Sequence, residues 1–215
     1  MIFVASRGSH VWVPLTGITV RELSEVELPS AAAIAARGMR DNPLHIAAFG
    51  DDPDNRQQRL ARMFEIALPL ILSKGTILGV FDGGTLAGIA GMIAPGKCQP
   101  SFADRLWVMP RLVPALGGGT FARVGRWMGE WARRDPKQPH WHLGPVSVDA
   151  HLQGQGFGTL LMTEYCARLD RAKMPGYLET DRQWNVRFYE GFGFETVDSA
   201  LVLGVPNWFM KRTRP

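Results

Sequence analysis

Three glycines at alternate positions, Gly154, Gly156 and Gly158, stand where a helix is predicted to begin, and this loop is the stretch best suited to binding a ligand. A helix start carries backbone N–H groups without an intrahelical partner, and the helix dipole adds partial positive charge. Because no Cβ crowds these three positions, the amides from Gln153 to Thr159 can converge on a phosphate group. A strand-to-helix turn that binds nothing is an equally good interpretation of the glycines alone.

Two other glycine-rich phosphate loops fit these residues less well. A P-loop has Lys and then Ser or Thr after its last glycine, whereas Thr159 and Leu160 follow Gly158. A dinucleotide-binding fingerprint has its third glycine where Thr159 stands, and it follows the strand directly, whereas residues 149–153 intervene here. Glu179 lies about where that fold places its acidic residue, but only 57 residues follow Gly158, too few to complete a doubly wound sheet.

The loop resembles the acetyl-CoA motif of the GCN5-related N-acetyltransferase (GNAT) family, which is Gln/Arg-x-x-Gly-x-Gly/Ala after a strand. Residues 153–158, QGQGFG, fit this motif in full. A second pair of segments also resembles the family, YLET at residues 177–180 and NVRFYEGFGF at residues 185–194. Two matches at the family's separation are more specific than either alone, and together they cover residues 139–194. The resemblance implies acetyl-CoA as acetyl donor and cofactor.

The resemblance also implies which residues contact that cofactor. In the family the loop amides hold the pyrophosphate, the pantetheine lies along the preceding strand, and an Asn in the later segment touches the cofactor arm. The cofactor-binding residues predicted in this way are Val146, Val148, Gln153, Gly154, Gln155, Gly156, Phe157, Gly158, Thr159, Asn185 and Tyr189. From its position alone, Asn185 is equally interpreted as a helix N-cap.

Acetyl transfer to an amine requires a donor for the tetrahedral oxyanion and a proton for the leaving thiolate, and much of the rate gain comes from positioning. The resemblance makes Tyr189 the candidate general acid, although a buried Tyr is more often a packing residue. The oxyanion donor is expected to be a backbone N–H near Val148. His142 and Glu179 are the candidates for accepting a proton from the amine, with ordered water as the alternative, and a purely structural role is the commoner one for such a histidine.

Within the family, HWHL at residues 140–143 and LET at residues 178–180 most resemble the corresponding segments of puromycin N-acetyltransferase and its relatives. The predicted function is transfer of an acetyl group from acetyl-CoA to the primary amine of a small molecule, by direct attack within a ternary complex. Two alternatives stay open, a catalytically silent acetyl-CoA-binding module and an O-acetyltransferase. The acceptor itself is not indicated by either segment.

Hydrophobic periodicity predicts the elements that position the loop. After a first strand and several helices comes a hairpin over residues 76–93, whose small residues Gly88, Ala90 and Gly91 indicate close approach by another part of the chain. The order of elements predicts an α+β fold, a single GNAT-like domain with a mixed, mostly antiparallel sheet flanked by helices. We expect an N-terminal extension at residues 1–15 and a domain at 16–213. Within the domain we expect a helical insert at 95–139, less regular before a hinge or loop at residues 117–119 and with one helix at 120–134.

Composition limits the classes of partner. The chain has 215 residues, 46% of them hydrophobic, a net charge of +4 and no long run of Lys or Arg, so neither nucleic acid nor a membrane is expected as a partner. Cys98 and Cys166 stand apart, which favours a reducing cytoplasm, and the five histidines form no HExxH or Cys-paired spacing, so no metal is expected. The N-terminus has no clear signal-peptide pattern, and a homodimer is one possible assembly.

Overall fold

The computed structural model of this chain describes residues 17–213. Its helices and strands follow the predicted order with one further helix in the insert, and most bounds agree with the predicted ones within a few residues. In chain order they are β1 Ile18–Glu22, α1 Leu28–Met39, α2 Pro43–Phe49, α3 Pro53–Lys74, β2 Gly75–Asp82, β3 Thr85–Ile93, α4 Phe102–Leu116, α5 Gly118–Arg134, β4 Trp141–Val148, α6 Phe157–Ala172, β5 Gly176–Thr180, α7 Gln183–Glu190, β6 Glu195–Val202 and β7 Val205–Arg212.

The strands form one seven-stranded sheet in the order β1-β2-β3-β4-β5-β7-β6. Every neighbouring pair is antiparallel except β4 and β5, which run parallel. These two pair only at Trp141 with Gly176 and at His142 with Tyr177, although both strands continue beyond these residues. The predicted α+β class with a mixed, mostly antiparallel sheet is therefore confirmed. The carboxyl halves of β4 and β5 are not hydrogen-bonded to each other, which leaves a gap in the sheet.

Each face of the sheet carries its own hydrophobic core, because successive side chains of a strand point to opposite faces. Ile77, Phe81 and Ile89 face α1 to α5, in a core that includes Leu60 of α3 and Trp127 of α5. The other face packs against α6 and α7, through a core formed by Leu78, Val80, Met92, Leu143, Leu161, Leu178 and Tyr189 among others. The two faces are called here the α5 face and the α6 face.

The prediction for the insert is wrong in two details. Residues that were expected to be irregular form α4, which contains Pro110 and Pro114 and begins at Ser101, whose hydroxyl accepts a hydrogen bond from the Asp104 amide at 3.1 Å. Both prolines lie on the exposed side of α4, so the carbonyls they leave without an N–H donor can be hydrated. The predicted hinge is a tight junction, because Gly117 ends α4 and Gly118 already begins α5.

The first strand of the last pair starts later than its pattern predicts. The sequence predicts a strand over residues 191–199, but residues 191–194 form the turn after α7, and β6 begins at Glu195. The predicted N-terminal extension lies outside the described residues. Among the residues from Gly17 to Thr213, no helix has the length and apolar character needed to cross a membrane.

Candidate active site

The glycine-rich loop joins the end of β4 to the start of α6. Gly154 and Gly156 have φ angles of +77° and +90°, which side chains with a Cβ rarely adopt, and Gly156 is the N-cap residue of α6. No side chain caps the helix, and within the described residues the backbone amides from Gln153 to Thr159 donate no hydrogen bond to another part of the chain. A row of free N–H groups at the start of a 16-residue helix is a suitable site for an anion.

The loop is held against the end of α1. The side-chain amide of Gln153 donates to the carbonyl oxygens of Gly38 at 2.9 Å and Val148 at 3.2 Å. Arg37 forms an ion pair of 2.5 Å with Asp149, and its hydrogen bonds lower the pKa of that carboxyl group. A Cβ on Gly38 would lie 2.2 Å from the carbonyl oxygen of Val148, so only glycine allows this contact.

The sequence predicted the residues of the loop but none of the contacts that hold it against α1. The sequence carried one signal for them, an acidic residue, Asp149, directly between the strand and the loop. Its partner Arg37 lies 112 positions earlier, on a helix whose approach to β4 cannot be read from local pattern.

The backbone of β4 is irregular just before Val146 and Val148, the residues that are expected to lie along the cofactor. Pairing with β3 shifts between Ala90 and Met92, opposite the Gly144–Pro145 step, and Pro145 has no N–H to donate. A Cβ on Gly91 would lie 2.5 Å from the carbonyl oxygen of Gly144. The small residues of β3 are therefore approached by the neighbouring strand β4. Val146 and Val148, beyond the shift, are partly buried in the core on the α6 face.

Tyr189 lies in α7 and is buried on the α6 face between Phe188 and Phe194. Burial raises the pKa of its phenol, and the nearby Asp181 carboxylate adds to this, so the hydroxyl keeps its proton at neutral pH. Asn185 is the third residue of α7, whose N-cap is Arg182, so its interpretation as an N-cap is wrong. Its side-chain amide donates instead to the Thr180 hydroxyl at 3.2 Å, across the end of β5.

His142 and Glu179 meet on the opposite, α5 face. The Nε2 atom of His142 donates to Glu179 at 2.9 Å, and the second oxygen of Glu179 is buried without a hydrogen-bond partner. Burial alone would lower the pKa of His142, but Glu179 and Asp135 outweigh it and raise that pKa well above its usual value. The pair thus lies on the opposite face of the sheet from Tyr189, and Glu179 stands beyond Tyr177, the last β5 residue paired with β4.

Four donor groups cluster beside this pair, and sequence spacing did not predict them together. Donor atoms of Cys98, Asp135, His140 and His142 all lie within 4.8 Å of one another. The Nε2 atom of His140 is 3.5 Å from the Cys98 sulfur and 3.3 Å from Asp135 Oδ1, and His142 Nδ1 is also 3.3 Å from Asp135 Oδ1. We call these four residues the donor cluster. The prediction that the chain binds no metal considered only motifs of adjacent residues, which this group does not form.

The pKa values in the donor cluster follow from this crowding. Burial opposes the charged histidine, but Asp135 and Cys98 outweigh it and raise the pKa of His140 to about 9. Burial likewise opposes the thiolate, but the two histidines outweigh it and lower the pKa of Cys98 to about 7. Each group is thus shifted toward its charged form by its neighbours.

The comparisons with known proteins agree with this fold. A family model described as the acetyltransferase (GNAT) family matches residues 43–194. A solved structure described as a histone acetyltransferase and related acetyltransferase, from Corynebacterium glutamicum, is similar with a TM-score of 0.72 and 21% identity over 93% of this chain and 98% of that one. Arylalkylamine N-acetyltransferase 2 from Aedes aegypti gives 0.63 and 12%, over 93% and 100%.

A third similar structure contains the ligand. The PaiA N-acetyltransferase from Thermoplasma acidophilum, solved in complex with coenzyme A, has a TM-score of 0.58 and 13% identity over 91% of this chain and 98% of that one. Identities this low show a shared fold and not a shared substrate.

Proposed function

This chain belongs to the acetyltransferase (GNAT) family, and on that premise we propose that it transfers the acetyl group of acetyl-CoA to the primary amine of a small molecule. The observation that carries the proposal is the row of free amides at the start of α6, with Gly154 and Gly156 in conformations suited to glycine. The CoA pyrophosphate binds these amides, and Gln153 holds the loop in place. The pantetheine arm follows Val146 and Val148 into the gap between β4 and β5.

Direct attack within a ternary complex assigns a role to each side of this gap. Tyr189, on the α6 face, keeps its proton and donates it to the departing thiolate. A backbone N–H of β4 near Val148 binds the oxyanion, where β4 is no longer paired with β5. The His142–Glu179 pair lies on the α5 face, from which the amine approaches, and accepts its proton. Asn185, anchored on Thr180, contacts the pantetheine arm.

The sequence and the fold indicate the acetyl donor more narrowly than they indicate the acceptor. Similar structures carry names with very different acceptors, a ribosomal-protein alanine in one and an arylalkylamine in another. The narrower resemblance to puromycin N-acetyltransferases depends only on residues 140–143 and the LET segment. The two free cysteines are the basis for proposing the cytoplasm as the compartment, and a homodimer stays a prediction.

A panel of acceptors tests the proposal against its alternatives. Arylalkylamines, polyamines, aminonucleosides, short peptides with free N-termini and matched alcohols are each incubated with acetyl-CoA, and free thiol is measured. We expect one amine class to release thiol far above the rate without acceptor, with the acetyl amide identified by mass spectrometry. Release with alcohols alone would support O-acetylation instead. Tight acetyl-CoA binding by calorimetry without thiol release for any acceptor would support the silent binding module.

A further inference from the structure

We propose that the donor cluster, Cys98, Asp135, His140 and His142, binds a zinc ion that fastens the insert to the sheet. Cys98 lies between β3 and α4, and Asp135 directly follows α5, so these two residues stand at the two ends of the insert. His140 and His142 lie at the start of β4. A single ion held by all four would therefore join the entry and the exit of the insert to the strand that leads to the glycine loop.

The outward hydrogen bonds of the two histidines set which ring nitrogen faces the cluster. His140 donates from Nδ1 to the carbonyl oxygen of Gln138 at 2.8 Å, and its Nε2 points to Cys98 and Asp135. His142 donates from Nε2 to Glu179, and its Nδ1 points to Asp135. Carbonyl or carboxylate partners of this kind commonly orient a metal-binding imidazole by fixing its tautomer.

With those tautomers, four lone pairs converge on one point. A thiolate, a carboxylate and two unprotonated imidazole nitrogens are all hydrogen-bond acceptors, and none of the four can donate a hydrogen bond to another. His142 Nδ1 and Asp135 Oδ1 are both inaccessible to solvent and without a hydrogen-bond partner. A cation satisfies all four at once.

The distances agree with tetrahedral zinc. Bonds of about 2.0–2.1 Å to nitrogen or oxygen and about 2.3 Å to sulfur place the donors of a tetrahedral site about 3.3–3.6 Å apart. Three donor pairs of the cluster are separated by 3.3, 3.3 and 3.5 Å, and all the donor atoms lie within 4.8 Å of one another. One sulfur, two imidazoles and a carboxylate suit Zn²⁺, whereas Mg²⁺ and Ca²⁺ prefer oxygen donors only.

A cysteine nucleophile with a His–Asp relay is a poorer explanation of the same residues. In such a relay the acid binds one ring nitrogen and the nucleophile the other. Here Cys98 and Asp135 both face Nε2 of His140, while Nδ1 is already bonded to Gln138. The geometry thus suits four ligands around an ion, and four protein ligands make a closed, structural site.

The metal site is independent of the proposed acetyl transfer except at His142. As a ligand through Nδ1, His142 becomes a positioning residue that holds Glu179 through its Nε2–H. The proton-accepting role of the His142–Glu179 pair then belongs to Glu179, whose second oxygen has no partner. Metal content and acetyl-CoA binding can be measured separately, so a failure of one proposal is distinguishable from a failure of the other.

Metal analysis of the protein without an affinity tag tests the site. After incubation with a slight excess of Zn²⁺ and exhaustive dialysis, we expect about one zinc per chain in the wild type. The Cys98→Ser and His140→Gln variants should retain about one tenth of that zinc or less. The matched controls are Cys166→Ser, which changes the other cysteine, and His151→Gln, which changes an exposed histidine. Equal zinc in all five proteins, or none in the wild type, would overturn the proposal.

A second measurement covers variants that fold poorly. Metal-free wild-type protein is titrated with Co²⁺, which takes the same site and reports its ligands by absorption. A saturable thiolate-to-cobalt charge-transfer band, lost on adding Zn²⁺, is expected for the wild type and for Cys166→Ser. Chelator should lower the Tm of the zinc-loaded wild type but leave that of Cys98→Ser unchanged. Absence of the band from folded wild-type protein would contradict the assignment.

Discussion

Tyr189 is buried in the core of the α6 face, with its ring next to those of Phe188 and Phe194. Its raised pKa follows mainly from burial, so the phenol is neutral over the whole physiological range. A packing residue in this position would need only the ring, whereas a proton donor needs the hydroxyl. Removing that single oxygen therefore separates the two roles.

Tyr189→Phe should lower kcat by roughly a hundredfold, within the usual range for loss of general-acid catalysis, with little change in the affinity for acetyl-CoA. Thiol release and calorimetry measure the two quantities. Tyr165→Phe is the matched control, because Tyr165 is also buried but donates to the Trp141 carbonyl at 3.0 Å. The control should lose about 1 kcal/mol of stability and keep its turnover. Unchanged kcat in Tyr189→Phe would exclude the acid role.

The Arg37–Asp149 ion pair is a second feature whose effect can be tested at single residues. Asp149 is buried and Arg37 is 41% exposed in its side chain, so solvent weakens the pair from one side. Because the pKa of Asp149 is lowered in the folded chain, its contribution to stability is present above its unfolded value of 3.8 and is lost as pH falls through the folded value.

Asp149→Asn should lower the free energy of unfolding by about 1 kcal/mol at neutral pH, an amount already reduced for the exposure of Arg37. The difference from wild type should shrink as the pH falls below about 4. Urea unfolding at several pH values measures it. Arg37→Gln should show a similar loss, and the double variant should lose no more than either single one. A difference that is constant with pH would be evidence against the ion pair.

Among the elements, the loop between β4 and α6 was predicted closely because its evidence is local. Its glycines, the apolar run of α6 and the strand before it all lie within about 25 residues. Helix α4 was missed because Pro110 and Pro114 oppose helix locally. It forms because it packs on α3 and α5 and buries Leu116 in the core of the α5 face, and no local pattern records that gain.

Gly154→Ala tests the loop as an element. A Cβ there would meet nothing within 4 Å, so its effect comes only from the φ angle of +77°. We expect a loss of about 1 kcal/mol in stability and weaker binding of acetyl-CoA. Gly125→Ala, an exposed position in α5 with equal space, should gain up to about 1 kcal/mol and bind acetyl-CoA as the wild type does. Equal acetyl-CoA affinity in both variants would argue against the loop as the binding site.

At the scale of the whole molecule, the insert and the first helices form one core. Trp127 of α5 makes edge-to-face contacts with His45 of α2 and Trp131 of α5, and it belongs to the same hydrophobic core as residues of α1 and α3. The insert is therefore not a separate lid attached to a finished domain. We expect it to unfold together with the sheet, because neither part can bury its apolar surface alone.

Trp127→Ala should cost about 3–5 kcal/mol, since it opens a large cavity in this shared core. In urea, tryptophan fluorescence and far-UV circular dichroism should give coincident transitions for the wild type, and both should move together in the variant. Trp184→Ala, at a side chain that is 66% exposed, should change stability by less than about 0.5 kcal/mol. Two separate transitions in the wild type would show that the insert folds independently.

Sequence alone determined the order of the elements apart from α4, the α+β class, the glycine loop at a helix start and, through the resemblance, the family. These follow from short-range patterns, because backbone conformation and amphipathic periodicity are written within a few residues. Only the tertiary structure decided that Tyr189 and the His142–Glu179 pair lie on opposite faces of the sheet, and that Cys98, Asp135, His140 and His142 meet. Those outcomes depend on strand register and helix packing over many tens of residues, where distance along the chain says little about distance in space.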